Sequence, residues 1–141
     1  MNDTPRKVIV IVDDEPSYAG LMVQLLSDSL DCRVIAFTNP LDALAALPTL
    51  DVGVVVTDFS MPALNGLEFV LQAEPMLPGT PFIVATGHTV GLPIESFARI
   101  PAVKALLRKP VSWRKLAEEV LRVWPDPTNM PTLKPELASL I

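Results

Sequence analysis

Little in this sequence suits a disulfide framework, a zinc site or a histidine-based catalytic centre. Among 141 residues there is one cysteine, Cys32, and one histidine, His88. A single thiol excludes an internal disulfide and a Cys-rich zinc cluster, and it is compatible with a reducing compartment. A single imidazole leaves a histidine metal cluster or a Ser-His-Asp triad almost no material. Aromatic residues make up only 6%, so aliphatic side chains must fill the core. Long apolar runs are missing: none approaches the roughly 18 residues that cross a bilayer. The opening Met1-Asn2-Asp3-Thr4-Pro5-Arg6-Lys7 lacks the apolar centre of a secretory signal. Basic residues are outnumbered, 11 against 16 acidic ones, for a net charge of −5. A general nucleic-acid binder needs a basic face to release counterions, and there is no surplus here to build one. What remains is a small acidic chain, 50% hydrophobic, of a length that suits one domain. It is expected to be soluble and cytoplasmic, with neither a membrane nor a nucleic acid as partner.

Val8-Ile9-Val10-Ile11-Val12 is a continuous β-branched run that breaks into Asp13-Asp14-Glu15-Pro16. A strand apolar at every position is buried on both faces, as in parallel sheets. Pro16 suits the first turn of a helix, with an Asp before it to cap, and Leu21, Met22, Leu25, Leu26 and Leu30 follow at helical spacing. The pattern repeats. Arg33 to Phe37 reads as a strand, Asn39-Pro40 opens a helix carrying Leu41, Leu44, Ala45 and Leu47, and Val52 to Thr57 is a third strand ending at Asp58. A turn-rich loop, Ser60 to Gly66, leads to a helix with Leu67, Phe69, Val70 and Leu71. Pro81 to Thr86 and Val103 to Leu107 are the fourth and fifth strands. Ser112 caps a last helix whose Trp113, Leu116, Val120 and Val123 share a face, with Trp124 alongside. Between strands four and five, Gly91 and Pro93 leave room only for a short or distorted helix. This alternation predicts an α/β fold, a doubly wound five-stranded parallel sheet with helices on both faces. The folded domain is expected over residues 6–124, followed by a Pro-rich tail over 125–141.

In open α/β sheets, ligands bind beyond the carboxyl ends of the strands. Asp13, Asp14, Asp58, Thr86 and Lys109 all fall at such ends. Taken singly, each has a plainer reading: an Asp at a strand end is usually a turn or cap residue, and Lys109 an ordinary surface lysine. Together they mean more. Three crowded carboxylates repel and call for a cation, and oxygen ligands beside a phosphate suit Mg²⁺. Asp58 could then attack a phosphoryl group to form an acyl phosphate. Mg²⁺ and the Lys109 ammonium would offset charge on the phosphoryl oxygens, and the Thr86 hydroxyl could donate to one of them.

Four segments carry a family resemblance: Val10 to Pro16, Val55 to Pro62 with Asn65-Gly66, Ala85-Thr86-Gly87, and Lys109-Pro110. In that order and on those elements, they make the chain resemble the receiver domains of two-component response regulators over about residues 6–124. The resemblance implies the flavodoxin-like strand order 2-1-3-4-5. It implies that Asp58 is the phosphoacceptor, that Asp14 and Asp58 ligate Mg²⁺ directly, and that Asp13 acts through water. The Ser60 carbonyl would be a further ligand, and Thr86 and Lys109 would hold the phosphoryl group. The implied partners are a histidine kinase or a histidine phosphotransfer protein as donor and a downstream protein effector reached by contact. The implied chemistry is self-phosphorylation and autodephosphorylation rather than turnover of a separate substrate.

The sequence departs from the family in places. Leu106 stands where a Tyr or Phe is usual, three residues before the lysine. Output is therefore expected to rest on rearrangement of the segment after Thr86 more than on a rotating aromatic. Ser60, two residues after Asp58, is small and is expected to leave an acyl phosphate open to water. His88 reads as a solvated loop residue and Cys32 as a packing residue without redox chemistry. Two other functions use the same residues. A Mg²⁺-dependent phosphohydrolase would place an acid where Ser60 stands, and a non-phosphorylated pseudo-receiver would not need the complete acidic set. Met1 shortly ahead of the first strand favours a free-standing regulator over the receiver piece of a hybrid kinase. Met130, Leu133, Leu137 and Leu140 recur at roughly helical spacing, so the tail either docks on this domain or a partner, or frays.

Overall fold

The computed structural model describes residues 7–87 and 91–134. Five parallel strands, β1 (Val8–Val12), β2 (Val34–Phe37), β3 (Val52–Thr57), β4 (Phe82–Thr86) and β5 (Val103–Arg108), form one sheet in the order β2-β1-β3-β4-β5. Every residue of β1, β3 and β4 is buried, in keeping with sequences that are apolar up to the closing Thr57 of β3 and Thr86 of β4. The edge strand β5 instead alternates half-buried and exposed positions. Helices α1 (Pro16–Ser29) and α5 (Trp113–Val123) cover one face, where Met22, Leu26, Leu116 and Val120 pack on Ile9, Ile11, Val54 and Val56. Helices α2 (Pro40–Ala46), α3 (Gly66–Ala73) and α4 (Ile94–Ala98) cover the other, where Leu44, Phe69, Val70 and Phe97 meet Val10, Val55 and Val84. The order reverses direction between β1 and β3, which opens a crevice at their carboxyl ends.

Asn39 caps α2 by accepting from the Leu41 N–H, Asn65 forms a capping box with Glu68, and Ser112 accepts from the Lys115 N–H. The Asp expected to cap α1 does something else. The N-cap position is Glu15, which makes no side-chain cap bond, and Asp13 Oδ1 accepts from the Glu15 N–H at 2.9 Å. That contact closes a turn ahead of the helix and fixes the aspartate. Three apolar stripes also need correction. Leu21, Leu41 and Leu71 are about half exposed, at 51%, 50% and 55%. Buried contact in α1 runs through Ala19, Met22 and Leu26, a phase that turns Leu21 outward. In α2 it runs through Ala43 and Leu44, leaving Leu41 and Ala45 to solvent. The short α4 agrees with the interruption by Gly91 and Pro93; His88 lies outside the described residues.

Beyond α5 the chain turns back. Trp124 packs into the α1/α5 face, and Leu133 forms an isolated antiparallel bridge with Leu30 at the end of α1. The Asp31 N–H donates to the Thr132 carbonyl, the Thr132 N–H to Asp31 Oδ1, and the Lys134 N–H to the Ser29 carbonyl. The tail up to Lys134 therefore docks on this domain, while Leu137 and Leu140 lie outside the described residues.

Candidate functional site

Two buried strands side by side deliver their next residues to one place. Asp13 and Asp14 leave β1 and Asp58 leaves β3, and the strands are tied at that level by the Asp58 N–H donating to the Val12 carbonyl at 2.9 Å. Carboxylate oxygens of the three aspartates lie within 4.8 Å of one another. Asp13 and Asp58 are buried, at 2% and 8% exposure. Lys109, just past β5, reaches across: its Nζ is 2.5 Å from Asp13 Oδ2 and 3.4 Å from Asp58 Oδ2. The Phe59 N–H donates to Asp58 Oδ1 at 2.7 Å, which leaves Oδ2 facing the lysine. A cleft of about 460 Å³ opens here, lined by Asp14, Glu15, Tyr18, Asp58, Ser60, Gly87 and Lys109. Thr86 is not on its wall. It is buried at the end of β4, and its carbonyl accepts from the Lys109 N–H at 2.9 Å, so the lysine is anchored to the β4 terminus.

The β3–α3 loop is held close beneath Asp58. The Gly66 N–H donates to the Phe59 carbonyl at 2.7 Å, and a Cβ on Gly66 would lie 2.5 Å from the Asp58 carbonyl oxygen. Only glycine permits that approach, which explains physically why Asn65-Gly66 accompanies the aspartate. Tyr18 was not legible as a site residue. Its ring lies beneath the ammonium, with Nζ 4.3 Å from the ring centroid. The available signal was its position in the first turn of a helix that starts at the end of β1.

Charge crowding sets the proton affinities. Burial pushes the Asp58 carboxyl above the ordinary carboxylate range; Lys109 pulls it down, and the negative charge of Asp13 pushes it up again. Burial works to lower the Lys109 ammonium, but the hydrogen bond and charge of Asp13, helped by Asp58, outweigh it and hold the group above its usual value. A carboxyl whose folded-state value is raised binds its proton more readily folded than unfolded. Its contribution to stability therefore falls as pH rises through that window and stays unfavourable above it. In chelator at neutral pH, Asp58→Asn is expected to raise the melting temperature by about 4 °C, or on the order of 1 kcal/mol. The gain should shrink as the buffer is acidified through the Asp58 titration; thermal melts across pH read both.

Crowded oxygen ligands of this kind fit a hard divalent cation that keeps part of its water shell. An ammonium beside a cation-binding carboxylate fits an anionic oxygen group. Residues 9–121 match the family model of the response regulator receiver domain. The chain belongs to that family. Receiver domains of two-component systems serve phosphorylation-based signalling. This receiver is 33% identical over 103 residues to a response regulator receiver protein of Anaeromyxobacter sp. (strain Fw109-5), a match covering 73% of this chain and 42% of that one. It is 30% identical over 119 residues to the sensor histidine kinase GacS of Pseudomonas protegens, covering 81% of this chain and 13% of the kinase. The chain thus spans less than half the length of both relatives. Among solved structures, a CheY-like receiver domain protein from Methanospirillum hungatei JF-1 has a TM-score of 0.68 and 25% identity, over 82% of this chain and 91% of that one. TrrA from Thermotoga maritima, solved with Mg(2+)-BeF, shares the fold with a TM-score of 0.72 at 23% identity, over 83% of this chain and 98% of its own. Among the described residues no helix is long and apolar enough to cross a membrane.

Proposed function

We propose that this receiver takes a phosphoryl group onto Asp58 from a histidine kinase or a histidine phosphotransfer protein in the cytoplasm. It then passes the signal to a downstream protein by contact. The observation that carries this reading is the placing of Asp58 Oδ2 in an open cleft, 3.4 Å from Lys109 Nζ, with the carboxylates of Asp13 and Asp14 beside it. A carboxylate oxygen of Asp58 attacks phosphorus, a P–O bond forms, and the P–N bond to the donor imidazole breaks. The imidazole nitrogen keeps the electron pair and takes up a proton. Lys109 shifts its ammonium from Asp13 toward the transferred oxygens, and Thr86, buried and off the cleft wall in this structure, moves inward so that its hydroxyl donates to another of them. Asp14, Asp58 and the Ser60 carbonyl would hold Mg²⁺ directly and Asp13 through water; the ion supplies neutralisation of charge on the phosphoryl oxygens. Ser60 is exposed on the cleft wall, so its small side chain leaves water a path to the acyl phosphate. The acyl phosphate at Asp58 is therefore expected to hydrolyse faster than it would beside a larger residue at position 60.

Incubation with Mg²⁺ and acetyl phosphate, followed by intact mass, tests the reading. One added phosphoryl group is expected on the parent chain and none on Asp58→Asn. A chain that never gains mass would be a binding module, and steady turnover of a generic phosphomonoester would make it a phosphohydrolase.

A further inference from the structure

We propose that Tyr18 is a positioning residue whose ring holds the Lys109 ammonium between Asp13 and Asp58, ready for transfer to the phosphoryl group. The inference rests on the reading of Asp58 as phosphoacceptor. A lysine side chain is a compact charge on a flexible stem, and carboxylates alone do not fix where it sits among them. Here its shorter contact is with Asp13, at 2.5 Å, although its work is at Asp58, 3.4 Å away. The Tyr18 ring, 4.3 Å from Nζ, provides a third contact, electrostatic and without a hydrogen bond. A ring face attracts an ammonium more strongly once water is displaced, and the Lys109 side chain is only 17% exposed. Such a contact tolerates sliding, so the ammonium can move toward Asp58 without leaving the ring.

The hydroxyl points to the same division of labour. Tyr18 Oη is buried and has no hydrogen-bond partner among the described residues. A phenol in that condition is worse for folding than a phenyl ring of the same shape. The ring face therefore carries the interaction with Lys109. Tyr18 also packs against the α1/α5 core cluster. Packing alone would make its loss a matter of stability, independent of Lys109, and that difference is measurable.

The test uses the full chain, with Tyr18→Leu and Tyr18→Phe in the parent and Lys109→Ala backgrounds. Tyr18→Leu is expected to slow phosphorylation at saturating acetyl phosphate about tenfold, with Mg²⁺ affinity held within about twofold. Tyr18→Phe should keep the parent rate within about twofold. In the Lys109→Ala background, Tyr18→Leu should add nothing. In the unphosphorylated protein, the Lys109 ε-methylene protons should show an upfield ring-current shift that survives Tyr18→Phe and vanishes in Tyr18→Leu. An equal slowing by Tyr18→Leu without the lysine, or no ring-current shift, overturns the Tyr18 proposal and leaves the phosphoacceptor reading standing. A clear ring-current shift in a parent chain that never phosphorylates at Asp58 overturns the phosphoacceptor reading, and this inference with it.

Discussion

Lys109→Met is expected to cost about 3 kcal/mol of folding stability at neutral pH in chelator, and adding Asp13→Asn is expected to restore most of it. The Asp13 side chain is only 3% exposed, with one oxygen engaged by the Glu15 N–H and the other by Lys109. Without the ammonium, a buried carboxylate faces two others within 4.8 Å and, among the described residues, has no other ion-pair partner. Methionine keeps the length of the stem and an apolar contact with the Tyr18 ring, so lost packing is a small part of the change. Asparagine at position 13 keeps an acceptor for the Glu15 N–H and removes the charge. Urea unfolding of the two single variants and the double variant gives the coupling, expected at about 2 kcal/mol. A double variant no more stable than Lys109→Met alone would show that lost packing, and not the stranded charge, is the cause. The size is large because a domain of this kind has roughly 5–15 kcal/mol in total. The same arithmetic makes the site costly in the resting protein: it holds repelling carboxylates that only a cation or the lysine offsets.

Strand identity was legible because β1 is apolar at every position and β3 and β4 carry no polar side chain before their final threonines, a pattern that burial on both faces explains. The acids at the ends of β1 and β3 were legible for the same reason, since a charge directly after such a strand sits where the chain leaves the core. Chain order then placed Asp13, Asp14 and Asp58 together, and the fold brings them and Lys109 into one cluster. Periodicity was a poorer guide to which helix face is buried. Leu21, Leu41 and Leu71 all look like core residues by type, yet they are exposed because the buried phase of each helix is set by its neighbours in space. Tyr18 was not legible because its partner, Lys109, is ninety-one positions away. The tail was ambiguous for a related reason. The roughly helical spacing of its apolar residues is cut by Pro131 and Pro135, and its contacts with Ser29, Leu30 and Asp31 are hydrogen bonds to a segment distant in sequence, mostly backbone to backbone, with no sequence signature.

The largest effect remote from the cleft is expected at Gly53. Gly53→Ala should destabilise the protein by about 3 kcal/mol, although alanine in a strand is ordinarily favoured over glycine by roughly 0.5–1 kcal/mol. A Cβ built at this position lies 2.3 Å from Trp124 Cη2, 2.6 Å from Cζ2 and 2.8 Å from Cζ3. The indole fills the place of the missing side chain, and it is only 7% exposed. It cannot tilt aside cheaply, because its Nε1–H donates to Asn129 Oδ1 at 2.8 Å. The rest of the tail is tied down by Thr132 and Lys134 at the end of α1. One methyl group must therefore expel the ring, and expulsion loosens the returning segment as a unit. Urea unfolding gives the energy, a red shift of tryptophan emission reports the exposed indole, and faster proteolysis after residue 124 reports the freed tail. In the Gly53→Ala background, Trp124→Leu should cost less than it does in the parent, since the smaller side chain no longer meets the new methyl. Equal costs in both backgrounds would place the damage in the strand and not in the packing of Trp124 on it.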